Sequence, residues 1–131
     1  ICQFNPQTGC LLDIWTVPSG NPIGIAFDGE NFWAIGVGST FLYKLDSNLN
    51  LLDSVVLDIQ CRGGIAFDGN SIWISNKDTQ RIYKINQNNG KTVNSLYNEE
   101  VTPMILLLIR KIFGFVIEVR DPFTDWIIFQ V

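Results

Sequence analysis

Two acidic residues recur where a repeated chemistry would place them. Asp28 and Asp68 occupy the same pentapeptide, Ile-Ala-Phe-Asp-Gly, at Ile25 to Gly29 and at Ile65 to Gly69, a period of 40 residues. Recurring carboxylates can serve as ligands. An Asp that precedes Gly is first a turn residue, however, because its side chain bonds nearby backbone amides, and the turn reading is preferred for both. Trp33 and Trp73 keep the same period. An indole can be a flat binding platform, but the large apolar area it buries favours a packing role between sheets. Asn31, Asn70 and Asn76 stand near turns and are read in the same structural way.

The sequence has no histidine, so the commonest general base and metal ligand is missing. Ser-His-Asp chemistry and zinc catalysis within these 131 residues are excluded with it. No residue is assigned a catalytic or metal-ligating role, no cofactor is implied, and ligand-binding residues are left unassigned. The three cysteines, Cys2, Cys10 and Cys61, have no CxxC spacing, which argues against a zinc knuckle or a complete disulfide framework. A Cys2 to Cys10 bridge is one arrangement; three unpaired, mostly buried thiols is the preferred one. A net charge of −4 and a sequence pI near 4.6 provide no basic footprint for nucleic acid or an anionic membrane surface.

The elements that must carry these residues follow from the repeat. Gly24 to Asp46 and Gly64 to Asn86 share the Asp-Gly turn, the tryptophan and a Tyr-Lys pair, Tyr43-Lys44 and Tyr83-Lys84. Each unit parses into four strands. Ile23 to Phe27 and Ile65 to Phe67 are short, apolar and entered through Gly, as fits an inner strand where sheets crowd together. Asp-Gly then makes a tight hairpin turn into Phe32 to Gly36 or Ile72 to Ser75. The third strands are Phe41 to Asp46 and Arg81 to Asn86, alternating between two faces. The fourth are Leu51 to Leu57 and Lys91 to Tyr97. A turn at Asn5 to Gly9 and a strand at Leu11 to Val17 read as the end of an earlier unit. The chain opens at Ile1 without a basic n-region or apolar h-region, so no targeting signal is read.

A 40-residue repeat of short β-patterns is the signature of a propeller blade. The expected fold is all-β: a partial β-propeller with two complete four-stranded antiparallel blades, the outer strand of a preceding blade and a degenerate C-terminal segment. The corresponding division is 1–22, 23–57, 58–97 and 98–131. Closed propellers typically carry about four to eight blades, so the chain reads as part of a larger ring. The loops between second and third strands differ: Val37 to Thr40 is small and uncharged, whereas Asn76 to Gln80 is polar and charged. Such loops lie at one end of a ring, where ligands are often met, but a solvated turn is the preferred reading for both.

From Met104 the pattern vanishes. The run 104–131 has no Asp-Gly turn and no Tyr-Lys strand, and Arg110-Lys111 breaks it well before the ~20 apolar residues of a membrane span. A one-base slip near Pro103 accounts for it. The G of the Met104 codon with the AT of Ile105 must then give Asp. From that recovered position a permitted Trp falls at offset 9, a permitted Tyr at 19 and an obligatory Leu at 21. Trp33, Tyr43 and Leu45 stand at those offsets from Gly24, and Trp73, Tyr83 and Ile85 from Gly64. The segment is therefore read as a frameshifted third blade.

The two units resemble the repeats of β-propellers of the YVTN and NHL type, and of streptogramin-lyase-like and glutaminyl-peptide cyclotransferase-like propellers. The resemblance covers about residues 4 to 103 and rests on turn glycines and packing aromatics. It implies the propeller fold and carries over no catalytic residue; the lyase-like activity relies on a histidine that this chain lacks. Two functions stay open. One is a non-catalytic propeller segment binding a protein, peptide or glycan. The other is part of a propeller enzyme whose active residues lie in other blades. The partners expected are further blades or self-association, with no nucleic acid and no membrane span, and an extracytoplasmic setting is favoured.

Overall fold

The computed structural model of the chain describes residues 1–16, 18 and 21–97. Strand β1 (Cys2–Phe4) pairs antiparallel with β2 (Leu11–Ile14). The turn between them is the one expected: the Asn5 Oδ1 accepts the backbone N–H groups of Gln7 and Thr8 at 2.8 and 3.1 Å. The sequence reading had the second strand alone; β1 is its partner. Val17, the last residue of the expected strand, lies outside the described residues, as does the segment 98–131, the expected degenerate or frameshifted blade.

Two four-stranded antiparallel sheets follow. The first runs β3 (Pro22–Phe27), β4 (Phe32–Gly36), β5 (Phe41–Leu45) and β6 (Leu51–Val56), each strand bonded to the next. The second repeats this order with β7 (Ile65–Phe67), β8 (Ile72–Asn76), β9 (Arg81–Ile85) and β10 (Thr92–Tyr97). The expected boundaries hold within a residue. Up-and-down order is what short hairpin connections dictate, since antiparallel neighbours need only a tight turn.

Register puts the repeated residues side by side. Ala26, Trp33 and Lys44 are cross-strand partners in the first sheet, and Ala66, Trp73 and Lys84 in the second. The period of two sorts each strand by face. On β4, Trp33 and Ile35 turn toward the second sheet and join a core with Leu42, Ile65, Ile72, Ile74 and Ile85. Phe32 and Ala34 turn the other way, packing with Leu45, Tyr43, Leu49 and Ile1. The principal core is therefore the seam between the sheets.

The inner strands β3 and β7 meet closely at that seam. A Cβ on Gly24 would lie 2.8 Å from the Ile65 Cγ2 and 3.1 Å from the Ile65 N, so only glycine allows this approach. Leu57 and Cys61, in the segment joining the sheets, complete the same core.

Candidate functional site

The Asp28 and Asp68 carboxylates are engaged within their own hairpins, at partly exposed positions. Asp28 Oδ1 accepts the backbone N–H groups of Glu30 and Asn31 at 2.9 and 2.7 Å, and Oδ2 accepts the Trp33 indole Nε1 at 2.6 Å. Asp68 repeats the arrangement with Asn70, Ser71 and the Trp73 Nε1 at 2.9, 2.7 and 2.7 Å. Both carboxyls are held below the ordinary range. Burial by itself would raise them, but it is outweighed by these hydrogen bonds and by the charges of Lys44 and Lys84. The lysines lie over the indoles, with Nζ at 5.5 Å from the Trp33 ring centre and 5.4 Å from that of Trp73, a cation–π contact. Each Asp thus shapes a turn and anchors a tryptophan, and the tryptophan carries a lysine.

The two indoles differ in surroundings. Trp33 is 4% exposed, covered by the second sheet, whereas its repeat equivalent Trp73 is half-buried.

The polar groups that the strands leave over gather elsewhere, where three backbone segments meet. Residues 57–62 pass between the loop that follows β4 and the loop that follows β8. On one side, Leu57 N–H donates to the Thr40 carbonyl at 2.7 Å, Cys61 N–H to the Ser39 carbonyl at 2.8 Å, and Gly38 N–H to the Cys61 carbonyl at 2.8 Å. On the other, the buried Asn76 donates its Nδ2 to the Gln60 carbonyl at 2.9 Å, and Arg62 forms a parallel bridge with Asn76. The Asn76 Oδ1 also accepts the N–H groups of Asp78 and Thr79 at 2.9 and 3.2 Å, closing its own loop. Tyr83 OH donates to the Thr79 Oγ1 at 3.0 Å, and Tyr97 OH to the Gln80 Oε1 at 2.9 Å.

The exposed side chains of this cluster are of mixed character. Val37 is 49% exposed, and Lys77, Asp78 and Gln80 are exposed beside it in the neighbouring loop cluster. Arg62 and Asp78 form an ion pair, Nε to Oδ2 at 3.3 Å, with side chains 39% and 56% exposed.

Of the residues singled out from sequence, the structure gives Asp28, Asp68, Trp33, Trp73, Asn31, Asn70 and Asn76 structural contacts and does not bring the two Asp-Gly turns together into one site. It does bring together the two second-to-third-strand loops. The 57–62 segment that joins them escaped the sequence reading, because the positions one period earlier, around Pro18 and Pro22, share none of its residue types.

The cysteines correct an expectation. All three are free, and no Cys2 to Cys10 bridge forms, but only Cys61 is buried; Cys10 is exposed and Cys2 half-buried. Cys10 sits at the end of a hairpin turn rather than in a core, which is why composition alone misplaced it. Burial pushes the Cys61 thiol up to about 12, so it is neutral and unreactive at physiological pH. Among the described residues no group of three or more Cys, Asp and Glu side chains is placed to hold a metal ion.

No protein-family model matches the chain, and no curated protein sequence does either. Solved structures do. The glutaminyl cyclase of Myxococcus xanthus superposes with a TM-score of 0.55 at 15% identity, over 79% of this chain and 43% of that one. The hydrazine synthase of Kuenenia stuttgartiensis reaches 0.55 at 16% identity, over 75% of this chain and 29% of that one. The Dos1 propeller reaches 0.50 at 9% identity, over 76% and 28%. The chain thus spans less than half the length of each of these three structures. At these identities the likeness is one of fold, and together with the repeat it makes the two sheets neighbouring blades of an all-β, propeller-like protein.

Proposed function

We propose that the chain supplies blades to a propeller of the YVTN or NHL repeat type and acts by binding rather than catalysis. The surface used is the loop cluster 37–40, 57–62 and 76–80, and the partner is a protein, peptide or glycan. The observation that carries this reading is the engagement of Asp28 and Asp68: the acidic groups that recur in both units are used to shape turns and anchor tryptophans. The irregular, partly exposed backbone collects instead where the loops of adjacent blades meet, the setting in which scaffolds present ligand contacts.

Further blades, or other copies of this chain, are the second class of partner. Trp73 offers the face that Trp33 buries against its neighbour. Leu51, Leu52 and Val56 on β6 and Val93, Leu96 and Tyr97 on β10 are exposed as well, apolar side chains on the outer strands that an adjoining copy could cover. Sedimentation of the purified chain is expected to show association; a sharp monomer boundary at micromolar concentration would count against it.

The binding reading is tested by screening the full chain on peptide and glycan arrays and mapping each hit by hydrogen exchange. Protection confined to 37–40, 57–62 and 76–80 is the expected result. Turnover of a glutaminyl peptide by the chain, or hits that protect only other regions, would overturn it.

A further inference from the structure

Resting on that reading, we propose that Arg62 recognises a carboxylate on a short peptide, with an aliphatic side chain beside it, and that Asp78 occupies the arginine while no ligand is bound. Arg62 stands at the centre of the loop cluster, and its backbone is fixed from both sides. The residue before it, Cys61, is bonded in both directions to the first blade through Ser39 and Gly38. The Arg62 carbonyl accepts the Lys77 N–H at 3.5 Å, and Gly63 packs so tightly on Ser75 that a Cβ there would collide with its hydroxyl. The guanidinium reaches back over the first blade, its Cζ 4.0 Å from where a Cβ on Gly38 would be. It therefore projects from a pre-organised frame over the seam between two loops, which lowers the entropy lost on binding.

The arginine is incompletely satisfied. Nε is enclosed and has no hydrogen-bond partner; Asp78 is its ion-pair partner at 3.3 Å but does not align with the N–H. A guanidinium edge is made for two parallel bonds to a carboxylate, and a ligand carboxylate free to align can supply what Asp78 does not. Although Nε is covered, the two side chains are 39% and 56% exposed, and an ion pair so open to solvent contributes little stability, so Asp78 is readily displaced. Val37, next to Gly38 and half exposed, supplies the apolar contact, and Lys77 adds positive charge.

The test uses the full chain and three labelled probes: acetyl-Leu-Ala-Val with a free terminal carboxylate, its amide, and the amide of acetyl-Leu-Glu-Val. Binding is read by fluorescence anisotropy for wild type, Arg62→Lys and Asp78→Asn, with thermal unfolding of each variant and hydrogen exchange of each complex. The free acid is expected to bind about tenfold more tightly than the Leu-Ala-Val amide. Arg62→Lys, which keeps the charge but not the fork, should lose about tenfold. Asp78→Asn should gain about threefold, because it removes the resident competitor without touching the ligand. Binding of the Leu-Glu-Val amide at the level of the free acid would assign the carboxylate to a side chain; binding of the free acid alone would assign it to a chain terminus. Equal binding of acid and Leu-Ala-Val amide with the loops protected would overturn the role of Arg62 while leaving the loop cluster a binding surface. No protection of 37–40 and 76–80 by any probe would overturn both.

Discussion

Asp58 accepts both the backbone N–H and the hydroxyl proton of Thr92, at 3.0 and 2.7 Å, across 34 residues of sequence. The pair ties the segment leaving the first blade to the outer strand of the second. The Thr92 N–H is the main reason the Asp58 carboxyl sits below its ordinary value; burial opposes the shift, and the Thr92 hydroxyl and the Lys91 charge add to it. Thr92→Val should cost about 1 kcal/mol, the net worth of one such hydrogen bond. A carboxyl lowered in the folded state stabilises above its unfolded value of about 3.9 and loses that contribution as the pH falls through the folded one. In urea titrations the gap between wild type and Asp58→Asn is therefore expected at pH 7 and should close at pH values well below about 4.

Gly90 faces the same junction. Its φ is +71°, and a Cβ there would run into the Val56 carbonyl of β6. Gly90→Ala should destabilise by about 1–3 kcal/mol, since a left-handed backbone and an immovable neighbour act together. Gly29 also has positive φ, at 102°, but faces open space. Its alanine variant should lose less, and chemical denaturation of the two side by side separates backbone strain from collision.

The Asp–Trp anchors should show unequal weights. Trp33→Ala is expected to cost about 3–5 kcal/mol, as for a fully buried aromatic, and Trp73→Ala less, because Trp73 is half-buried. Asp68→Ala should destabilise as well, leaving the Asn70 and Ser71 amides and the indole without their shared acceptor. Circular dichroism during urea unfolding measures all three. An Asp68→Ala variant as stable as wild type would show that the turn holds without its carboxylate.

Thiol labelling should sort the cysteines by position. Cys10 is exposed and should react first with a neutral thiol reagent at pH 8. Cys61, enclosed and with its thiol pushed up to about 12, should react only once the blades unfold. Mass spectrometry of peptides quenched at successive times reads the order directly.

The repeat made the strands legible because every feature it carries is local. Asp28 to Gly29, Trp33 and Tyr43-Lys44 lie within one hairpin or the next, so a period of 40 exposes the turn, the register and the face at once. The Asp28 carboxylate was legible as a turn former and not as the anchor of an indole, because the turn that it makes is what carries Trp33 back to it. The joint between blades was not legible at all. One period before Asp58 stands Pro18, before Cys61 stands Asn21, and before Thr92 stands Leu52, so comparison of the units erases the residues that distinguish one joint from another. Cys10 was misjudged for a related reason: cysteine is mostly a buried residue type, and only the position of the Asn5 to Gly9 turn tells that this one is not.

The strap of residues 57–62 has a consequence for how such a protein can be assembled from copies. Its amides and carbonyls are shared with the loop behind it and the loop ahead of it, so the peptide between two sheets belongs to both. A gene duplication with breakpoints inside this strap would leave each copy with half of its fastenings. Breakpoints in the outer turns 46–50 or 86–90 would keep every strap whole, although each sheet would then be stitched from two copies. Inherited modules in a chain of this kind are expected to begin and end in mid-sheet, out of step with the units that the eye picks out.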